Sequence, residues 1–124
     1  MSYYIREPAE TAGLPADLAV TVVSGVLDLD ASPELRGCFT SQIAAGRRRL
    51  VVDLSEVSFI DSTAIGVLVG TGTGLRESGE GWLAVVCPEA NRQVYRIFEI
   101  TRFESVVEVH PSLDSALSTL DAAA

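Results

Sequence analysis

The chain has 124 residues, 48% of them hydrophobic and 21% charged, with a net charge of −8 at pH 7. This length and composition are typical of one globular domain with its own core and exclude a disordered chain. The negative charge argues against binding to nucleic-acid phosphates, and no apolar run reaches the roughly 18–20 residues that span a bilayer, so we expect a soluble, cytoplasmic protein without membrane contact.

The first part of the chain predicts two strands and a helix. Residues 1–17 form an N-terminal segment in which Tyr3–Arg6 can make an edge strand. The apolar run Leu18–Ser24 predicts a longer strand that ends at Gly25. Ser32-Pro33 predicts a helix start, because proline is well tolerated at the first helical position. The apolar face of that helix contains Leu35, Cys38, Phe39 and Ile43.

The middle of the chain is the stretch around which the rest is organised. Leu50–Leu54 is short, apolar and of high β propensity, as in a strand buried within a parallel sheet. From Ser62 onward the sequence predicts a helix, and we expect a short turn between strand and helix. Within this helix Gly66, Gly70 and Gly74 fall on one stripe, which predicts a close approach of the backbone to a neighbouring element.

The last part of the chain predicts two more strands and two more helices. Trp82–Val86 is a strand, and Pro88-Glu89 opens a third helix. Ser105–Val109 is a last strand, and Pro111-Ser112 opens a short final helix. The inner faces of these two helices are expected to contain Ala90, Val94, Ile97 and Phe98, and Leu113, Ala116, Leu117 and Leu120, respectively.

Strands and helices alternate along the chain, which predicts an α/β fold with one mixed, mostly parallel sheet flanked by about four helices. We assign residues 18–121 to this domain and expect residues 122–124 to fray. In such sheets the working surface lies at the carboxyl ends of the strands. We therefore expect Asp28, the turn at residues 61–63 and the loop after Val86 to meet at one edge.

Missing residue types exclude several functions. All nine basic residues are arginine, so the glycine-rich segment at residues 70–74 lacks the lysine of a phosphate-binding loop. A receiver domain phosphorylated on Asp53 would also need a lysine. The basic cluster Arg47–Arg49 is short, and we interpret it as a solvated helix-to-strand connection rather than a nucleic-acid site.

No enzyme chemistry stands out either. His110 is the only histidine, and although a partnership with Ser62 is open, no Gly-x-Ser-x-Gly motif surrounds that serine. Cys38 and Cys87 lack metal-ligand spacing, and we interpret them as buried small side chains rather than a redox pair. We therefore predict no catalytic residues, no metal and no cofactor.

Asp61, Ser62 and Thr63 stand at the predicted start of the central helix. Aspartate and serine are favoured helix caps because their side-chain oxygens accept hydrogen bonds from free backbone N–H groups. A hydroxyl there is also exposed and lies in a field that favours added negative charge. The pattern alone is consistent with an ordinary cap, which is the commoner case, and with a phosphorylation switch.

The stretch Val57–Leu68 closely resembles the signature of the anti-anti-sigma factors, the single-domain STAS proteins of bacterial sporulation and stress regulation. Residues 25–28 resemble their Gly-Glu-Leu-Asp turn, residues 96–101 the end of their third helix, and residues 110–117 their closing segment. The resemblance covers residues 18–120, which is nearly the whole domain.

This resemblance implies a partner-switching mechanism. The unmodified protein would bind an anti-sigma factor that is also a serine kinase, which frees a sigma factor; phosphorylation of Ser62 would end the binding, and a PP2C-type phosphatase would restore it. It implies that Asp28, Asp61, Ser62, Thr63 and Ile65 contact the partner. The alternative is a STAS scaffold or adaptor subunit of a larger regulatory complex that is never phosphorylated.

The sequence departs from the family pattern at three positions. Val26 replaces the glutamate of the Gly-Glu-Leu-Asp turn, Ala64 replaces the glycine after Ser-Thr, and Arg102 replaces the glycine after Ile-Thr. These departures bear on the identity of the partner more than on the fold.

Overall fold

The computed structural model describes residues 3–8, 14–79, 81–105 and 107–123. Within them a five-stranded sheet has the order β1-β2-β3-β4-β5, with β1 antiparallel to β2 and all other neighbours parallel. The strands are β1 (Tyr3–Arg6), β2 (Leu18–Leu27), β3 (Arg49–Ile60), β4 (Trp82–Val86) and β5 (Glu108–His110), and the helices are α1 (Ser32–Ala44), α2 (Ser62–Glu77), α3 (Arg92–Thr101) and α4 (Leu113–Ala123). The predicted α/β fold with a mixed, mostly parallel sheet is confirmed.

The two faces of the sheet are covered unequally. Helices α1, α2 and α3 bury their apolar side chains against one face, here called the helix face, in one cluster that includes Phe39, Leu68 and Phe98. Helix α4 packs on the opposite face, here called the second face, through Ala116. The strand residues buried in this smaller cluster are Leu18, Val20, Val51 and Val86.

The final helix ends the described part of the chain. It contains the predicted inner residues Leu113, Ala116 and Leu117, whereas the side chain of Leu120 and all of Ala124 lie outside the described residues. Among the helices of the described ranges, none has both the length and the apolar composition that a membrane crossing requires.

Two predicted strand ends were wrong because both strands contain bulges. β2 does not end at Gly25 but passes through it at φ +89° and continues to Leu27. The predicted turn before α2 is strand as well, because β3 continues to Ile60 and pairs with β2 along its length. Two shifts in the β2–β3 register put buried residues three apart at Leu54, Val57 and Ile60. That spacing hides the alternation by which a strand is recognised.

The boundaries around α3 also differ from the prediction. The helix begins at Arg92 rather than at Pro88-Glu89, and Ala90 lies exposed in the preceding turn. The turn is held by Asn91, whose side-chain amide donates hydrogen bonds to the backbone carbonyls of Leu54 at 3.3 Å and Val57 at 2.8 Å. Side-chain bonds to a distant strand leave no trace in local sequence, so the prediction placed the start too early.

The last predicted strand is only partly correct. β5 begins at Glu108, and Phe103–Ser105 form a 3₁₀ turn instead of an extended strand start. The Phe103 ring is buried and stacks on the ring of Phe98, with centroids 4.4 Å apart. Burying this aromatic ring against α3 requires the chain to turn there, which shortens the strand.

The glycine stripe of α2 does not make the predicted close approach. A Cβ atom added at Gly66, Gly70 or Gly74 would have no heavy atom within 4 Å, apart from its chain neighbours and its own helix backbone, and all three residues are exposed. The close approach occurs at Gly72, where an added Cβ would lie 3.0 Å from Cγ2 of Val107. The helix therefore turns Gly72 inward and the predicted stripe outward.

Replacing Arg102 with glycine is expected to stabilise the fold by about 0.5–1 kcal/mol. Arg102 ends α3 in the left-handed conformation, at φ 55° and ψ 37°. That conformation costs an L-residue roughly 1–2 kcal/mol and glycine much less, although glycine loses more entropy on folding. Urea denaturation of Arg102→Gly measures the gain. Arg102→Ala is the control: it removes the exposed side chain but keeps the backbone cost, so an equal gain would contradict the explanation.

Candidate functional site

At the carboxyl edge of the sheet, the end of β3 leads directly into the start of α2. Asp61 is the single residue between them, and its side-chain Oδ1 accepts a hydrogen bond of 3.0 Å from the N–H of Ala64. Its own N–H donates to the carbonyl of Leu27 at 3.2 Å, which ties this junction to the end of β2. Asp61 is therefore the cap of α2, and Ser62 is the first residue of the helix.

Ser62 is exposed, and within the described ranges its hydroxyl takes part in no hydrogen bond. The Asp61 cap fixes the backbone around it, so the Ser62 side chain projects from a defined point on the surface. The first turn of α2 contains no acidic residue, and its free N–H groups favour negative charge. Of the two explanations left open by the sequence, the ordinary cap thus applies to Asp61 and leaves Ser62 available for modification.

Asp28 has a structural role next to this junction. Its side-chain Oδ1 accepts hydrogen bonds from the N–H of Asp30 at 3.1 Å and of Ala31 at 3.3 Å. Its carbonyl accepts a bond of 2.9 Å from the hydroxyl of Ser32, at the start of α1. Because Leu27 pairs with Ile60, Asp28 and Asp61 follow paired positions on neighbouring strands. The predicted meeting of these two aspartates at one edge is thus observed.

The remaining predicted site residues differ in accessibility. Thr63 is exposed beside Ser62, whereas Ile65 is half-buried and packs against the core of the helix face. The loop after Val86 contacts β3 ahead of the site: the Asn91 side-chain amide donates to the carbonyls of Leu54 and Val57. Sequence reasoning did not identify Asn91 as a residue that positions this part of β3.

The other reactive side chains are engaged in local contacts. The ring nitrogens of His110 lie 3.1 Å from the Ser115 hydroxyl and 3.1 Å from a Glu108 carboxylate oxygen, so its hydrogen bonds are not to Ser62. The Asp53 carboxylate accepts bonds from the N–H and hydroxyl of Ser55. No cluster of three or more His, Cys, Asp or Glu residues suited to a metal ion occurs in the ranges that the structure describes.

Neither thiol is activated for redox chemistry. Burial raises the pKa of the Cys87 thiol to about 11, with the charge of Asp53 adding to the effect. Burial also raises the pKa of the Cys38 thiol. Both cysteines are free thiols. At neutral pH both are therefore protonated, whereas redox-active cysteines need the thiolate form.

The arginine cluster lies at the opposite, amino edge of the sheet. Arg47 donates to the carbonyl of Leu18 at 2.7 Å and Arg48 to that of Ile43 at 2.9 Å. Arg49 forms two hydrogen bonds with the Asp17 carboxylate, of 2.6 and 2.8 Å, and thereby lowers the pKa of that carboxyl. The cluster lies in the connection between α1 and β3 as predicted, but its side chains are half-buried and hydrogen-bonded rather than solvated. The absence of nucleic-acid binding stays a prediction.

Comparison with known proteins gives consistent results. The STAS domain family matches residues 10–116. An anti-sigma-B factor antagonist of Staphylococcus aureus is 32% identical over 88 residues, which are 71% of this chain and 79% of that protein.

Solved structures extend the likeness to the whole fold. An anti-sigma factor antagonist from Mycobacterium paratuberculosis superimposes with a TM-score of 0.78 at 25% identity, over 95% of this chain and 93% of that one. The anti-sigma factor antagonist SpoIIAA of Bacillus, in its unphosphorylated form, gives a TM-score of 0.74 at 16% identity, over 98% and 97% of the two chains. At that low identity the second comparison supports the fold alone.

Proposed function

Since this chain belongs to the STAS-domain family of anti-sigma factor antagonists, we propose that it binds an anti-sigma factor and that phosphorylation of Ser62 ends the binding. The observation that carries the proposal is the exposed hydroxyl of Ser62, which bonds to none of the described residues and directly follows the capping Asp61. We place this function in the cytoplasm, where sigma factors and ATP are found.

The proposed cycle has two chemical steps, both catalysed by partners. The anti-sigma factor acts as a serine kinase: a base of the kinase accepts the proton of Ser62 Oγ, the oxygen attacks the γ-phosphorus of Mg-bound ATP, and the bond from that phosphorus to the bridging oxygen breaks and releases ADP. A PP2C-type phosphatase then hydrolyses the serine phosphate and restores the hydroxyl. This chain itself contributes only the acceptor and the surface around it.

The local structure suits this acceptor role. A kinase must place the hydroxyl in line with the transferred phosphoryl group, and a hydroxyl on a fixed backbone needs less reorganisation. Asp61 fixes the backbone through its bonds to Ala64 and to the carbonyl of Leu27. Exposure of both Ser62 and Thr63 means that the kinase must choose between two hydroxyls. We assign the phosphate to Ser62 because the family resemblance points to the serine directly after the aspartate.

The phosphorylation experiment uses the purified chain, each candidate anti-sigma factor kinase of the source organism, and Mg-ATP. Intact mass spectrometry is expected to show the addition of one phosphoryl group to the wild-type chain and to Thr63→Ala, and none to Ser62→Ala. Ser62→Ala should also stay bound to the kinase when ATP is added, whereas the wild-type complex dissociates. A phosphate found on Thr63 would contradict the assignment. A stable complex that ATP neither modifies nor releases would support the scaffold alternative.

A further inference from the structure

Among the described residues, those that pack on the second face of the sheet cover it only in part. Helix α4 packs over Leu18, Val20 and Val51, in the amino-terminal halves of β2 and β3, and over Val86 at the carboxyl end of β4. Towards the carboxyl ends of β2 and β3, beside the amino end of the antiparallel β1, large apolar side chains remain exposed: Tyr4 is 72% and Phe59 49% exposed. Val26 between them is half-buried. We call Tyr4, Val26 and Phe59 the apolar strip.

The strand register places these three side chains together. Val26 and Phe59 are direct partners in the β2–β3 pair, and their neighbours Leu27 and Ile60 are partners that are buried on the helix face. Alternation along each strand therefore turns Val26 and Phe59 to the second face. Tyr4 is the partner of Ser24, diagonally next to Val26, within reach of an aromatic ring.

This exposure is unusual for the position. Single exposed apolar residues are common on protein surfaces, but β3 is the central strand of the sheet, where a phenylalanine would normally be covered. Three adjacent apolar residues make a contiguous patch, and such patches mark interaction sites. Phe59 is also only two residues before Asp61, so the patch is continuous with the edge that carries Ser62.

The charges around the strip define what would cover it. Glu56 lies beside the strip as the partner of Ser24, and Asp28 and Asp61 follow Val26 and Phe59 by two residues at the carboxyl edge. The nearby cation Arg6 is already paired with Glu56, at 3.9 Å. A surface with this pattern is complementary to an apolar pocket ringed by lysine or arginine side chains.

We propose that the apolar strip is the anchor by which this chain docks on its anti-sigma factor, with Phe59 inserted into an apolar pocket ringed by basic side chains. This inference rests on the proposed function, because it assumes that partner. It assigns a binding role to a face of the sheet on which Ser62 does not lie. Phosphorylation at the carboxyl edge, on Ser62, then controls the binding, and the apolar strip supplies most of the apolar contact with the partner.

The test measures the affinity of the anti-sigma factor for Phe59→Ala by calorimetry or biolayer interferometry. Aromatic anchors typically lose more than about 1 kcal/mol on truncation, so we expect binding at least about 5- to 10-fold weaker. Tyr4→Ala should weaken binding by less, in the same direction. Ile100→Ala is the matched control: Ile100 is 69% exposed on α3, away from the strip, and its loss should leave the affinity unchanged. Thermal unfolding confirms that each variant is folded.

The outcomes separate this inference from the proposed function. If the wild-type chain binds none of the organism's anti-sigma factors, the proposed function fails and the inference fails with it. If the wild-type chain binds and Phe59→Ala binds equally well, only the inference is overturned. Sedimentation of the free chain tests whether a second copy of this chain covers the strip instead. If the wild type self-associates, and Phe59→Ala abolishes self-association but leaves anti-sigma factor binding unchanged, the strip belongs to a second copy and the proposal is overturned.

Discussion

Ser62→Asp is expected to weaken binding to the anti-sigma factor roughly 30- to 150-fold while the chain stays folded. The new carboxylate would lie next to Asp61, at the interface that we propose for the neutral hydroxyl. Unpaired or like-charge contacts at interfaces cost several kcal/mol, and a loss of about 2–3 kcal/mol corresponds to this range of affinities. A phosphate, with about −1.5 to −2 charges at pH 7, should have at least as large an effect.

The fold should tolerate the same change. Ser62 is exposed and its hydroxyl has no partner among the described residues, so its replacement breaks no internal hydrogen bond. At the first position of α2 the helix dipole favours negative charge by roughly 0.3–1 kcal/mol. This offsets repulsion from the Asp61 carboxylate, which is itself engaged with the N–H of Ala64. The melting temperature of Ser62→Asp should therefore stay close to that of the wild type.

A neutral variant of the same size separates charge from shape. Ser62→Asn adds almost the same volume as aspartate without its charge, so it should bind clearly better than Ser62→Asp. Equal binding by Ser62→Asp and the wild type would contradict the switch. Equal weakening by Ser62→Asn and Ser62→Asp would show that size, rather than charge, disrupts the interface.

The parts of the fold that local sequence determines were predicted well. Trp82–Val86 is a strand with the predicted ends, and α2 begins at Ser62 as expected. In both cases the signal is local: an apolar run between turns, and a capping aspartate before a helical pattern. Bulges and long-range contacts were missed. The extension of β3 to Ile60 depends on pairing with β2, and the start of α3 depends on bonds from Asn91 to β3.

The candidate site shows the same division. The sequence predicted that the Ser62 hydroxyl acts as a helix cap as well as a phosphate acceptor, and the cap prediction was wrong, because Asp61 caps the helix. The cap depends on the extended backbone of Asp61, at φ −111° and ψ 178°, which aims its carboxylate at the N–H of Ala64. The exposure of Phe59 was equally hidden, because the sequence predicted a turn before α2 and not the continuation of β3 to Ile60. The exposure of Phe59 follows from the register between β2 and β3, which depends on both strands and cannot be read from either segment alone.

Gly81→Ala is expected to cost about 2–4 kcal/mol in the free energy of unfolding, the largest stability effect that we predict for a glycine of this chain. A Cβ atom at Gly81 would lie 2.2 Å from the backbone carbonyl oxygen of Arg48 and 3.0 Å from a methyl group of Leu75. A backbone atom at the start of β3 cannot move aside without shifting the strand, and overpacking of this kind typically costs 1–3 kcal/mol. The same carbonyl accepts a hydrogen bond of 3.0 Å from the N–H of Trp82. Displacing it should weaken that bond, worth about 0.5–1.5 kcal/mol.

The matched control for this prediction is Gly70→Ala. Gly70 is exposed within α2, and an added Cβ would meet nothing within 4 Å beyond its immediate neighbours and its own helix backbone. Alanine should therefore stabilise the helix by roughly 0.8–1 kcal/mol. Urea denaturation measures both effects, which should have opposite signs: Gly81→Ala should lower the free energy of unfolding and Gly70→Ala should raise it. The dependence of that free energy on urea concentration should be the same for both variants as for the wild type. If Gly81→Ala proves as stable as the wild type, the close packing of the β4 start against Arg48 is not as described. If Gly70→Ala is destabilised, the outer surface of α2 is covered by something other than solvent.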